Sequence, residues 1–484
     1  MTSATADGRR RRETRGEGGR HNPHDVRRGE RGEAFHLALV EFLAGAFLFA
    51  FAIVAVGGAV YALDTARPAW LDPVHDFLSA RFFRSPDATS GLLQTIAATV
   101  ITVASITFSL LLVAIQQSAS SFTAHVFDQF LRRRTNQFYV GFFVGLGAYA
   151  LLQAATVHPR FNPVYGATLA LVLSIVAVAL LLVLVYSAVN QMRPVVIVEA
   201  IHDHLIEARA RQLRSIVART RRTPELESAP RTVVRTDRTG FVLRIDLDAI
   251  QRAIDSGAQP CEVVLLVSIG TFVAFADPLA AIHTADEDCA RRLAAAVETA
   301  VALERQRNID DVDAAFGIEQ LETVGWTSIS GAKHNPQAAR LVVAQLRDVL
   351  ARMVAAEREP EHEPDTAVVY HDDVPDVLMR TLESLAVVTA DSQQHQVAAD
   401  IVEGLAASLD GLPDAYRERA VDVLMRTLPA LASHPPTLPL ERALRALADA
   451  LARAGEDDAA RLVEEGLDHL RQRIGAVERE YTPR

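Results

Sequence analysis

Thr95, Thr99, Thr102 and Ser109 recur at steps of four, three and seven inside one long apolar run, which sets their hydroxyls along a single helical stripe. Hydroxyls in apolar surroundings can hydrogen-bond across a helix interface, or they can hold water and ions along a pore. Two readings follow. The stripe is either a packing face, with Ala98, Ser105 and Leu112 on the adjacent row, or a wet stripe lining a pore or crevice in an oligomer. Glu41 is the one acidic residue inside an apolar run. An intramembrane carboxylate costs several kcal/mol unless it is paired, protonated or near water. Glu41 therefore either reaches the interface from the first turn of its helix or pairs with the basic cluster Arg132, Arg133 and Arg134.

Other constellations point to less. The sequence has no phosphate-binding glycine loop, no nucleophile elbow and no paired Cys-x-x-Cys motif. His202, Asp203 and His204 fall on an arginine-rich helical pattern, where a solvated polar face is the reading and a metal site the alternative. His371, Asp372 and Asp373 look like a helix entry, with acids near its positive end. Cys261 and Cys289 are too few for a disulfide framework and lack metal-ligand spacing. The expectation is a protein that is not an enzyme, with no catalytic residue, cofactor or metal.

A bilayer core takes about 20 apolar residues in a helix. Four runs qualify, at about 37–63, 92–115, 138–157 and 167–188, and none contains Lys or Arg. Without water to satisfy backbone groups, such runs must be helical. Gly141 and Gly145 in the third form a GxxxG pair, which favours close helix crossing. The second run continues through Gln116, Gln117 and Ser118 without Gly or Pro, so its helix should leave the membrane as a rigid lever.

Charge orients the spans. The net charge is −11, yet the first thirty-six residues hold nine arginines. That head, Arg132–Arg134 and the segment from Arg193 share one side if there are four spans, and the loop from Asp64 to Gly91 is acidic. Arginine excess marks the cytoplasmic side, so both termini are expected inside, in a cell inner or plasma membrane. The head's arginines serve as a topology signal or also bind anionic lipid.

The remainder reads as soluble. The expected organisation is a disordered basic segment over 1–36, a four-helix transmembrane domain over 37–190, a juxtamembrane helix and linker over 191–230, a small β-rich module over 231–285, a helical region over 286–357, a linker over 358–373 and a helical-repeat-like domain over 374–484. Within the module, 241–245, 262–267 and 272–275 read as strands and 247–256 as a short helix, with Pro278-Leu279 closing the unit. A small barrel or sandwich fits, similar in pattern to a lipoyl-type module. The chain's single lysine, Lys333, lies outside it, which excludes prosthetic attachment. The run Asp376–Leu382 recurs identically at Asp422–Leu428, and the spacing of 46 suits two-helix solenoid repeats, or else reflects amphipathic bias. The fold class is thus a mainly α membrane protein: four transmembrane helices, a small β-rich module and a cytosolic helical domain.

Four segments carry a resemblance: ITVASITFSLLLVAIQQSASSFTAHVFDQFLRRR from Ile101, GFVLRID from Gly240 to Asp246, FGIEQL from Phe316 and Gly317 to Leu321, and SISGAKHNPQAA from Ser328 to Ala339. Through them the chain from about residue 37 to 430 resembles a bacterial family of predicted membrane proteins classed as a domain of unknown function. In the last block the family usually has a Ser-Pro-Gly-Ile-Asn-Asp-Pro-type run. Here Ser330 and Pro336 remain, while Gly331, Ala332, His334 and Asn335 replace its Pro, Gly, Asn and Asp. The resemblance implies the topology and a cytosolic domain, and no activity. The partners expected are the lipid bilayer, further copies of the chain in a homo-oligomer, and a cytosolic protein, with no nucleic acid. A channel- or transporter-like protein gated by its cytosolic domain is the first functional expectation; the alternative is a membrane-anchored sensor or scaffold.

Overall fold

A computed structural model of the chain describes residues 23–121, 134–191, 193–226, 231–257, 259–307, 312–330, 335–357, 364–431 and 437–481. The chain divides into two compact units, Met1–Leu110 with Asp128–Leu184 and Leu111–Phe127 with Val185–Arg484.

The first unit is built on helices α1 (Pro23–Ala66), α2 (Asp72–Arg81), α3 (Pro86–Ser121), α4 (Arg134–Thr156) and α5 (Val164–Gln191), the last of which, like α3, runs on into the second unit. Four helices have stretches long and apolar enough to cross a membrane: Leu43–Ala66, Pro86–Ser109, Gln137–Thr156 and Val164–Ser187. Span three is central, with 56% of its apolar window buried against 17% for spans one and four. Its glycines explain why. A Cβ on Gly141 would lie 2.4 Å from the Ala46 carbonyl oxygen, and one on Gly145 2.7 Å from the Ala50 Cα. The pair thus lies against a matching small pair on α1, where small residues let backbones approach. Phe49 meets Phe138 edge to face at the same contact, with centroids 5.2 Å apart.

α1 begins at Pro23, so residues 23–36 of the expected disordered head lie on a helix; residues 1–22 fall outside those described.

The second unit has two hydrophobic cores. One holds a four-stranded sheet of order β1 (Arg231–Arg235), β5 (Pro278–His283), β3 (Glu262–Leu265), β7 (Val368–Val369), and a three-stranded sheet of order β4 (Phe272–Val273), β2 (Gly240–Ile245), β6 (Val301–Glu304). Helices α7 (Leu247–Asp255) and α8 (Glu287–Ala300) complete it. This mixed α/β module is larger than the expected 231–285 barrel or sandwich. The segment expected to close the unit at Pro278 is instead its buried central strand, antiparallel to both β1 and β3. The expected helical region and linker each give it a strand. β6 follows α8 directly, and β7 pairs in parallel with β3, Val263 opposite Val368. Both β7 valines and Tyr370 are buried there, and this is why the stretch is not a free linker.

The other core is helical: α6 (Pro194–Ser215), α9 (Ala314–Ser330), α10 (Pro336–Glu357), α11 (Val374–Asp391), α12 (His395–Ser408), α13 (Asp414–Leu431), α14 (Leu438–Arg453) and α15 (Asp457–Tyr481). From α9 onward alternate helices pack on each other, α9 on α11 and α11 on α13, and α10 on α12 and α12 on α14, giving a two-layered stack. The repeated heptads lie on α11 and α13 and bury equivalent sets, Leu378 and Thr381 in one, Leu424 and Thr427 in the other. Asp376 pairs with Arg419, so the two copies sit about one turn out of lateral register.

Candidate functional site

α3 carries the hydroxyl stripe. Thr95, Thr99, Thr102 and Ser109 are all exposed. Thr95 donates to the Gly91 carbonyl at 2.7 Å, Thr102 to Ala98 at 2.9 Å, Ser105 to Ile101 at 3.1 Å and Ser109 to Ser105 at 3.0 Å. A hydroxyl that back-bonds in this way needs no water to be tolerated in lipid, yet it keeps lone pairs pointing outward as acceptors. Thr95 and Thr99 also border a crevice of about 180 Å³ with Val103, Phe143, Ser174 and Leu181, between α3, α4 and α5. Thr107 is buried, and its hydroxyl has no hydrogen-bond partner among the described residues.

The charged residues singled out in sequence are less informative. Glu41 lies on α1, but its side chain is outside those described, as are Arg132 and Arg133. Arg134 opens α4. A buried carboxylate that sequence reading left in the outer loop is better defined. Asp64, in the last turn of span one, accepts the backbone N–H groups of Tyr165 at 2.9 Å and Gly166 at 2.8 Å. It thereby caps α5 from another helix, since the first N–H groups of a helix lack partners of their own. The signal was there in sequence, an acid one turn from the end of an apolar run, but its partners lie about a hundred residues away.

In the second unit the family-motif residues do structural work. A Cβ on Gly240 would lie 2.6 Å from the Glu304 carbonyl oxygen, where β2 pairs with β6. Asp246 caps α7, accepting from the Ala249 N–H at 3.1 Å. Gly317 lets α9 approach α6, since its Cβ would sit 2.9 Å from that of Leu205. Ser330 donates to the Trp326 carbonyl at the end of α9, and Asn335 caps α10 by accepting from the Ala338 N–H, with Pro336 as the first helical residue. Residues 331–334 between them are outside those described.

Two motifs do converge, on a residue sequence reading missed. The Arg307 guanidinium lies 5.5 Å from the Phe241 ring centroid and 4.8 Å from that of Phe316. It donates to both oxygens of the buried Asp313, at 2.6 and 3.0 Å, and to Glu319 at 2.6 Å. Burial would lower the Arg307 pKa, but Asp313 and Glu319 outweigh it and raise it. Asp313 also caps α9 through the Phe316 N–H. Gly270, at φ +92°, brings a turn of the mixed module against this pair, its hypothetical Cβ 2.7 Å from Asp313.

Beside this cluster the two cores meet through polar groups. Arg209 of α6 makes a two-pronged ion pair with Asp372, and Tyr370 accepts from the Ile269 N–H at 3.2 Å. Burial pushes the Tyr370 pKa up to about 12. Burial, reinforced by Asp372, pushes Asp373 up to about 6, and its Oδ1 has no partner among the described residues. His202 pairs with Asp348 across to α10 at 2.9 Å, while His204 donates to the Ala200 carbonyl. Among the described residues no group of three His, Cys, Asp or Glu is placed to hold a metal. Cys261 and Cys289 are both buried thiols, and burial, then the neighbouring Cys289, raises Cys261 to about 11.

Four membrane-crossing helices, joined in one chain to a mixed module and a helical stack, define a multi-pass membrane protein. Residues 39–407 match the family described as Predicted membrane protein (DUF2254), and the chain belongs to that family. No curated protein and no solved structure matches the chain.

Proposed function

We propose that the protein is an oligomeric channel- or transporter-like protein in which copies of α3 surround an axis and the soluble unit controls their arrangement. The observation that carries this reading is the stripe of Thr95, Thr99, Thr102 and Ser109, which is exposed along its length and whose first two hydroxyl residues border a crevice with α4 and α5. Continuity supports the control: α3 runs unbroken from Pro86 to Ser121, and the division between the two units falls inside it. Arginine placement supports an orientation with both termini cytoplasmic.

Both native cysteines are buried in the second unit, which makes a cysteine-accessibility test clean. In a Cys261→Ser, Cys289→Ser background, single cysteines at Thr95, Thr99, Thr102 and Ser109 in reconstituted protein should give currents blocked by a charged thiol reagent. Silence across voltage, tension and common ions would defeat the reading. Reporter fusions near residues 75 and 300 test the orientation; an extracytoplasmic signal at 300 overturns it.

A second reading, a membrane-anchored scaffold, rests on the stack from α9 to α15. Full-length protein in detergent should then recover one specific protein, and recovery should fall when the exposed face of α13 is changed at Arg426, whose side chain is 65% exposed.

A further inference from the structure

We infer that α2, in the segment joining spans one and two, is an interfacial helix that lies in the headgroup layer of the same membrane, anchored by Trp70, Val74, Phe77 and Phe82. These four are 77%, 48%, 61% and 57% exposed, a concentration of large apolar surface outside the spans. Val74, Phe77 and Arg81 are three and four apart, so they share one face of α2, and Trp70 stands in the short 3-10 turn Ala69–Leu71 that leads directly into it. Phe82 follows at the helix end.

The segment has three distinct sides. One is held by the protein: Tyr165 donates to the Leu71 carbonyl at 3.0 Å, His75 is buried edge-on to the Tyr165 ring and receives the Arg67 guanidinium at 2.8 Å, and the Asn162 amide donates to the carbonyl of the buried Phe83 at 3.0 Å. A second is acidic and open, with Asp72 and Asp76. The third is the aromatic face. A helix with one apolar and one charged side, carrying Trp and Phe, lies in the plane of the membrane surface, and aromatic rings with polar edges concentrate at that depth.

The tether says what covers the face. Span one ends at Ala66 and the helix of span two begins at Pro86, so only residues 67–85 lie between two membrane-embedded ends. A chain this short, pinned to the protein at His75 and Phe83, cannot carry its aromatic face far from the bilayer that already contacts both neighbouring spans. Arg81 extends from the same side, where a long stem can bury its methylenes while the guanidinium meets lipid phosphates. The inference does not depend on the channel reading, because it concerns only the anchoring of the first unit.

Tryptophan fluorescence tests it directly. The chain has two tryptophans, so Trp326→Phe in the full-length protein leaves Trp70 as the only indole. Trp326 is partly exposed and makes one side-chain hydrogen bond, to Ser384, so its loss should leave the fold intact. In vesicles of phosphatidylcholine brominated on the upper acyl chain, Trp70 emission should fall by roughly half relative to unbrominated lipid, while aqueous acrylamide quenches it little. Adding Phe77→Asp, at an exposed position, should reverse the preference, with acrylamide quenching rising and bromine quenching falling. Efficient acrylamide quenching of the parent protein overturns the proposal. So does protection from both quenchers, which would mean that another copy of the chain covers the face.

Discussion

Asp64 accepts a hydrogen bond from the backbone N–H of Gly166 at 2.8 Å, so the last turn of span one closes the first turn of span four. The neighbouring Tyr165 N–H makes the second bond of the pair. Two N–H groups that would otherwise lack partners at the head of a helix are satisfied by one carboxylate. Asp64→Ala removes the acceptor and leaves both donors without a partner, and should lower the stability of the detergent-solubilised protein by about 1–3 kcal/mol. Asp64→Asn keeps one acceptor oxygen and should lose less. Thermal unfolding in one detergent, with both variants side by side, checks the order; equal stability of all three proteins would refute the cap.

The approach of span three to span one makes a sharper demand. Gly145→Leu places a branched side chain where even a Cβ lies 2.7 Å from the Ala50 backbone, and should separate the two helices. Gly58 is the natural control, because it sits on α1 with open space at its Cβ position. Gly58→Ala should be neutral or slightly stabilising, since alanine is favoured over glycine in a helix by about 1 kcal/mol. The loss for Gly145→Leu should be of the overpacking kind, about 1–3 kcal/mol or more. Comparable melting temperatures for the two variants would contradict the close contact.

These two contacts also mark how far sequence carries. The spans and the Gly141/Gly145 pair are legible because lipid makes the decision locally: apolarity and small size suffice without knowledge of the partner. The common face of the stripe residues is legible for the same reason, though the crevice that Thr95 and Thr99 border is not. The strand expected at 241–245 and the short helix expected at 247–256 stand at Gly240–Ile245 and Leu247–Asp255. Pro278–His283 was not legible, because a strand that opens on proline and holds two alanines has little intrinsic strand character. Val368–Val369 is a strand only because β3, paired with β5 on one side, leaves its other edge for it to pair with. Arg307 was invisible since its meaning lies in Phe241, 66 positions earlier, and Asp313 and Glu319, six and twelve later. Asp372 and Asp373 do stand at a helix entry, that of α11, but the pairing of Asp372 with Arg209 on α6 is not legible in the sequence. α2 was read by its acids, which are only one of its three sides.

Arg307 offers a stability test in the second unit. Arg307→Met would strand the fully buried Asp313 without its cation, and breaking a buried pair from one side costs about 3–5 kcal/mol. Arg307→Lys should recover only part of this, because an ammonium cannot match the two-oxygen grip on Asp313 or stack as a plane between Phe241 and Phe316. Adding Asp313→Leu to Arg307→Met removes the stranded charge and should restore some stability, short of the parent because the α9 cap on the Phe316 N–H is lost with it. Urea unfolding of the four proteins orders them. A lysine variant as stable as the parent would show that geometry at Arg307 is unimportant.

Asp373 predicts a pH dependence with a defined sign. Burial, then Asp372, raises its pKa from the ordinary 3.8 to about 6, while His371 opposes and Asp313 reinforces the rise. Between these two values the folded protein holds a proton that the unfolded chain has released, so this group's contribution to stability falls as pH rises through that window. Above it both states are ionised and the full penalty of the buried charge remains. Asp373→Asn should therefore be close to neutral at about pH 4 and stabilising by roughly 1–2 kcal/mol at pH 7, allowing for screening by water at its partly open side. Glu262 slopes the other way. Burial would raise it, but the Glu225 and Leu226 N–H groups and Arg221 outweigh burial and hold it low, so its contribution is present at neutral pH and lost as acid protonates it. Asp348, held low by Arg352 and His202 against burial, behaves alike. The parent's own pH profile mixes these slopes, whereas the difference between parent and Asp373→Asn isolates one carboxyl. A difference that stays flat from about pH 4 to 7 would mean that Asp373 ionises as an ordinary aspartate at the junction of the two cores.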